Sequence, residues 1–166
     1  HKPDRRQRQM CIRDRPLVDP LWRNATDLCR DLQRGTITAT TLMENVYARI
    51  AALNPRLNAL VDLMPQEQAM ALAATADAVP IAERGPLHGL PMAPKDAVAV
   101  RGFSTSWGYP GFAGTVEAQD DELARRLREA GAIFIGHSNM PEFGLGSHTF
   151  NQLYGHTYNP WDLSKT

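Results

Sequence analysis

Lys95 is the residue of this chain whose surroundings are hardest to read as plain structure. It opens a short, otherwise apolar run, Lys95 to Val100, directly after a loop punctuated by Gly85, Pro86, Gly89, Pro91 and Pro94. Such a run reads as a buried strand, and lysine is seldom buried without a reason. For an amine to act as a base near neutral pH, its ordinary value of ~10.4 must fall by about three units, roughly 4 kcal/mol, and desolvation can supply much of that. The adjacent Asp96 works against this, because a nearby carboxylate favours the charged amine. Consecutive side chains of a strand point to opposite faces, so Lys95 can enter a pocket while Asp96 bonds elsewhere. On these grounds alone, an ordinary ion-paired strand lysine stays open as the alternative.

Other chemistries lack their patterns. Gly136-His137-Ser138-Asn139-Met140 approaches a nucleophile elbow but has no final glycine, and no S-x-x-K occurs. The run Gly144 to Thr149 begins like a dinucleotide fingerprint, yet Thr149 stands at the third glycine and no clear helix follows. There is no P-loop and no H-E-x-x-H. His137, His148 and His156 lie close in sequence without helical ligand spacing or a thiolate partner, so no metal site is expected. Cys11 and Cys29 form neither a C-x-x-C pair nor a framework.

The elements that must hold Lys95 alternate between helix and strand. A helix is expected from Asn24 to Arg34, capped by Asn24 or Thr26 and ended by Gly35. A second is expected to start at Thr38, with Ile37 and Leu42 at staple spacing. Its apolar face is Leu42, Val46, Ile50 and Leu53, and Asn54-Pro55 is expected to stop it. Leu57 to Met64 reads as a strand, and Pro65 opens an alanine-rich helix to about Ala78. Asp120 and Asp121 begin a helix with Leu123, Ala124, Leu127 and Ala130 on one side, Gly131 stops it, and Ala132 to Gly136 is the next strand. Strand, helix, strand implies a parallel crossover. Beyond Ser138 the chain reads mostly as loop.

The bulk numbers fit an ordinary globular protein. In 166 residues, 18 Lys and Arg balance 18 Asp and Glu, and 43% of residues are hydrophobic. No charge excess points to nucleic acid, no stretch approaches the ~20 apolar residues of a membrane span, and a cytoplasmic location is the default. Residues 1–15 read as a disordered basic arm that also resembles a translated sequencing artefact, so its native status is open. Asp4 and Asp14 dilute its charge and no aromatic residue interleaves to stack on bases, which argues against a nucleic-acid binder. Residues 16–166 are expected to form part of a single domain.

Several motifs then occur in one order. Leu87-His88-Gly89-Leu90-Pro91 precedes Lys95-Asp96; Ala130-Gly131-Ala132 leads a strand into Gly136; Asn139 to Phe143 follows as N-x-P-E-F; and Asn159-Pro160-Trp161-Asp162 closes the series. This succession resembles the amidase-signature enzymes, from about Asn24 to Thr166 and most strongly after Gly85. The resemblance implies an α/β fold, a mixed and partly parallel sheet surrounded by helices, of which this chain holds the first part. It implies amide hydrolysis by a Ser, cis-Ser, Lys relay with no cofactor, acting on a small-molecule amide, with a homodimer open for the full-length protein.

Lys95 is the residue that matches the family lysine. Both serines lie, in relatives, in or after a Gly-Gly-Ser-Ser-Gly-Gly run that begins just beyond the N-P-W-D segment. The chain reaches Lys165-Thr166 without it, so an inactive N-terminal fragment with an unpaired sheet edge is expected. The resemblance also implies that Phe143, Gly144, Leu145 and Gly146 lie near the substrate channel, with a plain structural turn as the alternative. Two departures stand out. His137-Ser138-Asn139 replaces a frequent Lys-Thr-Asn, and Pro141 stands where the branch serving tRNA charging usually has Asp, which favours a stand-alone amidase over a component of a glutamyl-tRNA amidotransferase.

Overall fold

The computed structural model describes residues 20–166; the basic arm and Cys11 lie outside the described residues. Among the described residues four α-helices form where capping and periodicity place them. Helix α1, Ala25–Arg34, is capped by Asn24, whose side chain accepts the Asp27 N–H at 2.8 Å, and ends at left-handed Gly35. Helix α2, Ala39–Leu57, is capped by Thr38. The Asp77 carboxylate reaches the same end, accepting from Ala39 N at 2.6 Å, Thr40 N at 3.0 Å and the Thr40 hydroxyl at 2.6 Å. That carboxylate ends helix α3, Gln66–Asp77, which starts after Pro65 as expected. Helix α4, Glu122–Glu129, is capped by Asp121, which accepts from Ala124 N.

Helix α2 does not stop at Asn54-Pro55. It runs on to Leu57 and ends on Asn58 in the left-handed conformation. Pro55 sits in the last turn, where its missing N–H removes one intrahelical bond, and the helix still closes beyond it through Asn58 N, which donates to the Asn54 carbonyl at 2.7 Å. The strand expected over Leu57 to Met64 is correspondingly shorter: β1 is Leu60–Val61.

The segment 133–138 is central. It carries β3, Ile133–Phe134, and β4, His137–Ser138, on either side of Gly136. β4 pairs antiparallel with β1, with Leu60 opposite Ser138. β3 pairs parallel with β2, Pro91–Met92. The N–H groups of Ile133, Ile135 and Ser138 donate to the carbonyls of Leu90, Met92 and Pro94 at 2.9, 3.0 and 2.8 Å. Proline keeps its carbonyl, so a proline-rich segment can serve this side of a ladder. The result is a mixed, partly parallel arrangement, as expected, although the parallel partner is Pro91–Met92 and not Lys95 to Val100.

Alternation along the central segment sends side chains to two cores. Ile133 and Ile135 pack with Leu28, Leu32, Leu42, Met43, Tyr47, Ala69 and Ala73 from α1, α2 and α3. Phe134 faces the other way, onto Val100, Phe103 and Ala124 of α4. Helices therefore lie on both faces, and the apolar Ala132 to Ile135 run is explained. A hairpin of β5, Phe150–Asn151, and β6, Gly155–His156, follows in the region read as loop. Among the described residues no helix is long and apolar enough to cross a membrane.

Candidate active site

Lys95 leaves the sheet as soon as it joins it. It forms a single parallel bridge with Ser138, and Asp96 N donates to the Ser138 carbonyl at 3.0 Å. The Lys95 carbonyl then accepts from both Ala97 N, at 2.6 Å, and Val98 N, at 2.9 Å. That turn corrects the strand expected over Lys95 to Val100. Val98 and Val100 still enter the core, but from a loop, so their apolar character reports packing and not a ladder. The Lys95 side chain is exposed, not buried as expected. Among the described residues no carboxylate comes within ion-pair distance of its amine.

Asp96 goes the opposite way and is fully buried. Its carboxylate accepts from Ser106 N at 2.8 Å, from the Ser106 hydroxyl, and from Gly108 N at 3.2 Å. Its backbone carbonyl accepts from Trp107 N at 3.0 Å. The expected division, lysine to one side and aspartate bonded elsewhere, is present on a turn and not on a strand.

The loop gripped by Asp96 is bent into left-handed backbone at two successive residues, Trp107 (φ 55°) and Gly108 (φ 65°). A bulky residue in that region is uncommon and strained. The Trp107 carbonyl accepts from Phe143 N at 2.9 Å, so Asp96, Trp107 and Phe143 are joined by consecutive backbone hydrogen bonds. Phe143 itself is left-handed (φ 51°) within a 3-10 turn, Glu142–Gly144. Gly144 and Gly146 have positive φ, and Leu145 projects into solvent. Of the four channel residues implied by the resemblance, Phe143 is tied to the Lys95 turn through Trp107. Gly144, Leu145 and Gly146 continue the same exposed loop, and none of them hydrogen-bonds to that turn among the described residues.

The N-x-P-E-F asparagine is a structural junction. Asn139 donates to the Gly155 carbonyl at 3.2 Å and the Thr157 hydroxyl at 3.1 Å, and accepts from Asn151 at 2.7 Å. It thereby ties the end of β4 to the terminal hairpin. Asn159 and Asp162 of the N-P-W-D stretch close a turn, with Trp161 N donating to the Asn159 side chain at 2.9 Å. His137 lies in the core against Phe103, with Nε2 3.1 Å from the Val98 carbonyl, while His156 stacks at 4.3 Å on Phe150. Among the described residues no group of three or more His, Cys, Asp or Glu comes together as a metal site. Reading the sequence missed Ser106, Trp107, Tyr109 and Phe112; their one signal was a loop rich in Gly, Ser and aromatic residues.

The Amidase family profile matches residues 41–166. This chain belongs to the amidase family. It is 38% identical to indoleacetamide hydrolase of Bradyrhizobium diazoefficiens, with 86% of this chain covering 28% of that protein. It is 37% identical to a component of the glutamyl-tRNA(Gln) amidotransferase of Lysinibacillus sphaericus, with 86% covering 29%. The peptide amidase of Stenotrophomonas maltophilia superposes with a TM-score of 0.74 at 33% identity, with 87% of this chain covering 31% of that one. The chain thus spans less than a third of the length of these family members, and shares their α/β architecture over that part.

Proposed function

We propose that this amidase chain supplies the lysine base and part of the substrate wall of an enzyme that hydrolyses a carbon–nitrogen amide bond. One observation carries the proposal: Lys95 presents an amine unpaired with any described carboxylate, while its neighbour Asp96 is turned inward and satisfied by Ser106 and Gly108. In the proposed relay the neutral Lys95 amine takes a proton from one serine hydroxyl. That hydroxyl takes one from a second serine, which attacks the amide carbonyl. The proton passes to the departing amine, and water then releases the acid. Both serines would come from sequence outside these 166 residues, as would the wall that desolvates the amine, so the chain alone should not turn over. Phe143, Gly144, Leu145 and Gly146 are assigned to the substrate side.

The indoleacetamide hydrolase and peptide amidase similarities support hydrolysis of a small amide. Similarity to the amidotransferase component supports a second reading, transfer of an amide nitrogen in tRNA charging, against which Pro141 stands. A cytoplasmic location and a homodimer of the longer protein complete the proposal. The test is hydrolysis of a panel of simple amides by the longer natural protein beside its Lys95→Ala variant. Hydrolysis that disappears with Lys95 supports the relay; hydrolysis untouched by the substitution removes it. Activity seen only with glutamyl-tRNA would select the second reading.

A further inference from the structure

We infer that His137 is a positioning residue for Lys95: its ring holds the far end of the turn that presents the lysine amine. This deepens the proposed function and rests on Lys95 being the base. One strand holds the turn at both ends. At the start, Ser138 N donates to the Pro94 carbonyl at 2.8 Å, and Asp96 N donates to the Ser138 carbonyl at 3.0 Å. Inside the turn, the Lys95 carbonyl accepts from Ala97 N and Val98 N. At the end, the Val98 carbonyl lies 3.1 Å from His137 Nε2. Ser138 thus fixes the entrance through its backbone, and His137, beside it on β4, fixes the exit through its side chain. The Lys95 amine pairs with no described carboxylate, so where it points follows from the backbone that carries it.

The chemistry of that contact sets the form of the ring. A carbonyl oxygen only accepts, so Nε2 carries the proton and Nδ1 the lone pair. Nδ1 is buried without a partner. An unpaired buried nitrogen costs about 1 to 3 kcal/mol, a cost that an apolar side chain at this place would avoid. The ring is fully buried and edge-on to Phe103, and a leucine of comparable volume would serve packing alone. What leucine cannot supply is the donor to Val98.

Three substitutions in the longer natural protein separate donor position from volume. In His137→Gln the amide nitrogen falls near the place of Nε2. In His137→Asn it falls near that of Nδ1, too short to reach Val98, and His137→Leu fills the core with no donor. In amide hydrolysis kcat should fall roughly five- to fiftyfold in His137→Leu and His137→Asn, with KM changed less than about twofold, and should be largely restored in His137→Gln. Melting temperatures should rank differently, with His137→Leu the highest of the three. A kcat that follows melting temperature across the series, a loss carried by KM, or full activity in His137→Leu would each overturn the role. The tautomer gives a reading that needs no variant: NMR with isotope-labelled histidine should show His137 protonated at Nε2, and a proton on Nδ1 alone would overturn the clamp. Lys95→Ala judges the base separately. Hydrolysis that survives it removes the reading on which the role rests, whereas hydrolysis lost with Lys95→Ala and kept in His137→Leu removes the role alone.

Discussion

The buried carboxylate of Asp96 holds Ser106 twice, accepting its backbone N–H at 2.8 Å and its hydroxyl as well. Because Gly108 N donates to the same group, the carboxylate satisfies one turn of the 104–108 loop much as an N-cap satisfies a helix end. Removing it leaves the buried Ser106 N–H without its acceptor and takes one of two acceptors from Gly108 N, which also reaches the Ser106 hydroxyl oxygen at 3.1 Å, whereas removing the hydroxyl leaves the carboxylate to hold both N–H groups. Asp96→Ala is therefore expected to lower unfolding free energy by about 3 kcal/mol or more, and Ser106→Ala by about 1.5 kcal/mol. Urea denaturation of both variants checks the order; a smaller loss for Asp96→Ala would show that the loop is held by something else.

The neighbouring lysine should behave in the opposite way. Its side chain is exposed and pairs with no described carboxylate, so Lys95→Met should change stability by no more than about 0.5 kcal/mol. Amide turnover by the longer protein should nevertheless fall by roughly 100-fold or more, the scale of a lost general base. Lys95→Arg should not restore it, because a guanidinium does not give up its proton in proteins. Melting temperature and kcat measured on the same samples make the comparison.

Gly108 is required for two independent reasons. Its φ is +65°, and a Cβ there would sit 3.0 Å from the Met140 carbonyl oxygen and 3.2 Å from Asn151. Asn151 cannot easily yield, since its amide donates to both Asn139 and the Met140 carbonyl. Gly108→Ala should destabilise by about 1 to 3 kcal/mol. Gly114, also left-handed but with open space around its Cα, should tolerate alanine with a loss nearer 1 kcal/mol. Thermal denaturation of the two alanine variants side by side tests whether crowding adds to backbone strain.

These contrasts show which parts of the molecule were legible in the sequence. Asn24, Thr38 and Asp121 act locally, each bonding a backbone N–H three residues on, so the helix starts could be read directly. The segment Ala132 to Gly136 was legible because both its faces are covered by core. Lys95 to Val100 misled because its apolar residues pack without pairing, a distinction that periodicity does not carry over six residues. Pro91–Met92 was hidden for the converse reason: prolines argue against strands, yet the partner here calls on carbonyls. The link from Asp96 through Trp107 to Phe143 spans long gaps in sequence and runs through backbone atoms, so no residue type announces it. The order of motifs exposed the family where local chemistry left Lys95 ambiguous.

His88, within the Leu87 to Pro91 motif, gives the chain a pH signature. The ring is buried with Nε2 lacking a partner; burial first, then the Arg84 charge, holds its pKa below the ordinary histidine value, with a hydrogen bond to the Ala76 backbone and then the Asp77 charge opposing. Protonation would put a charge on a buried ring whose Nε2 has no hydrogen-bond partner. A depressed value means that the unfolded chain binds this proton before the folded one does, so the associated stability is present above about pH 6.5 and is lost as pH falls below it. The limiting slope for one proton is about 1.4 kcal/mol per pH unit. Asp77 and Asp120, whose carboxylates are held below their ordinary range, titrate under this window and leave it clear. His88→Gln should flatten the fall in stability between pH 6.5 and 5, measured as urea midpoints across that range. An unchanged slope in the variant would assign the loss to another histidine.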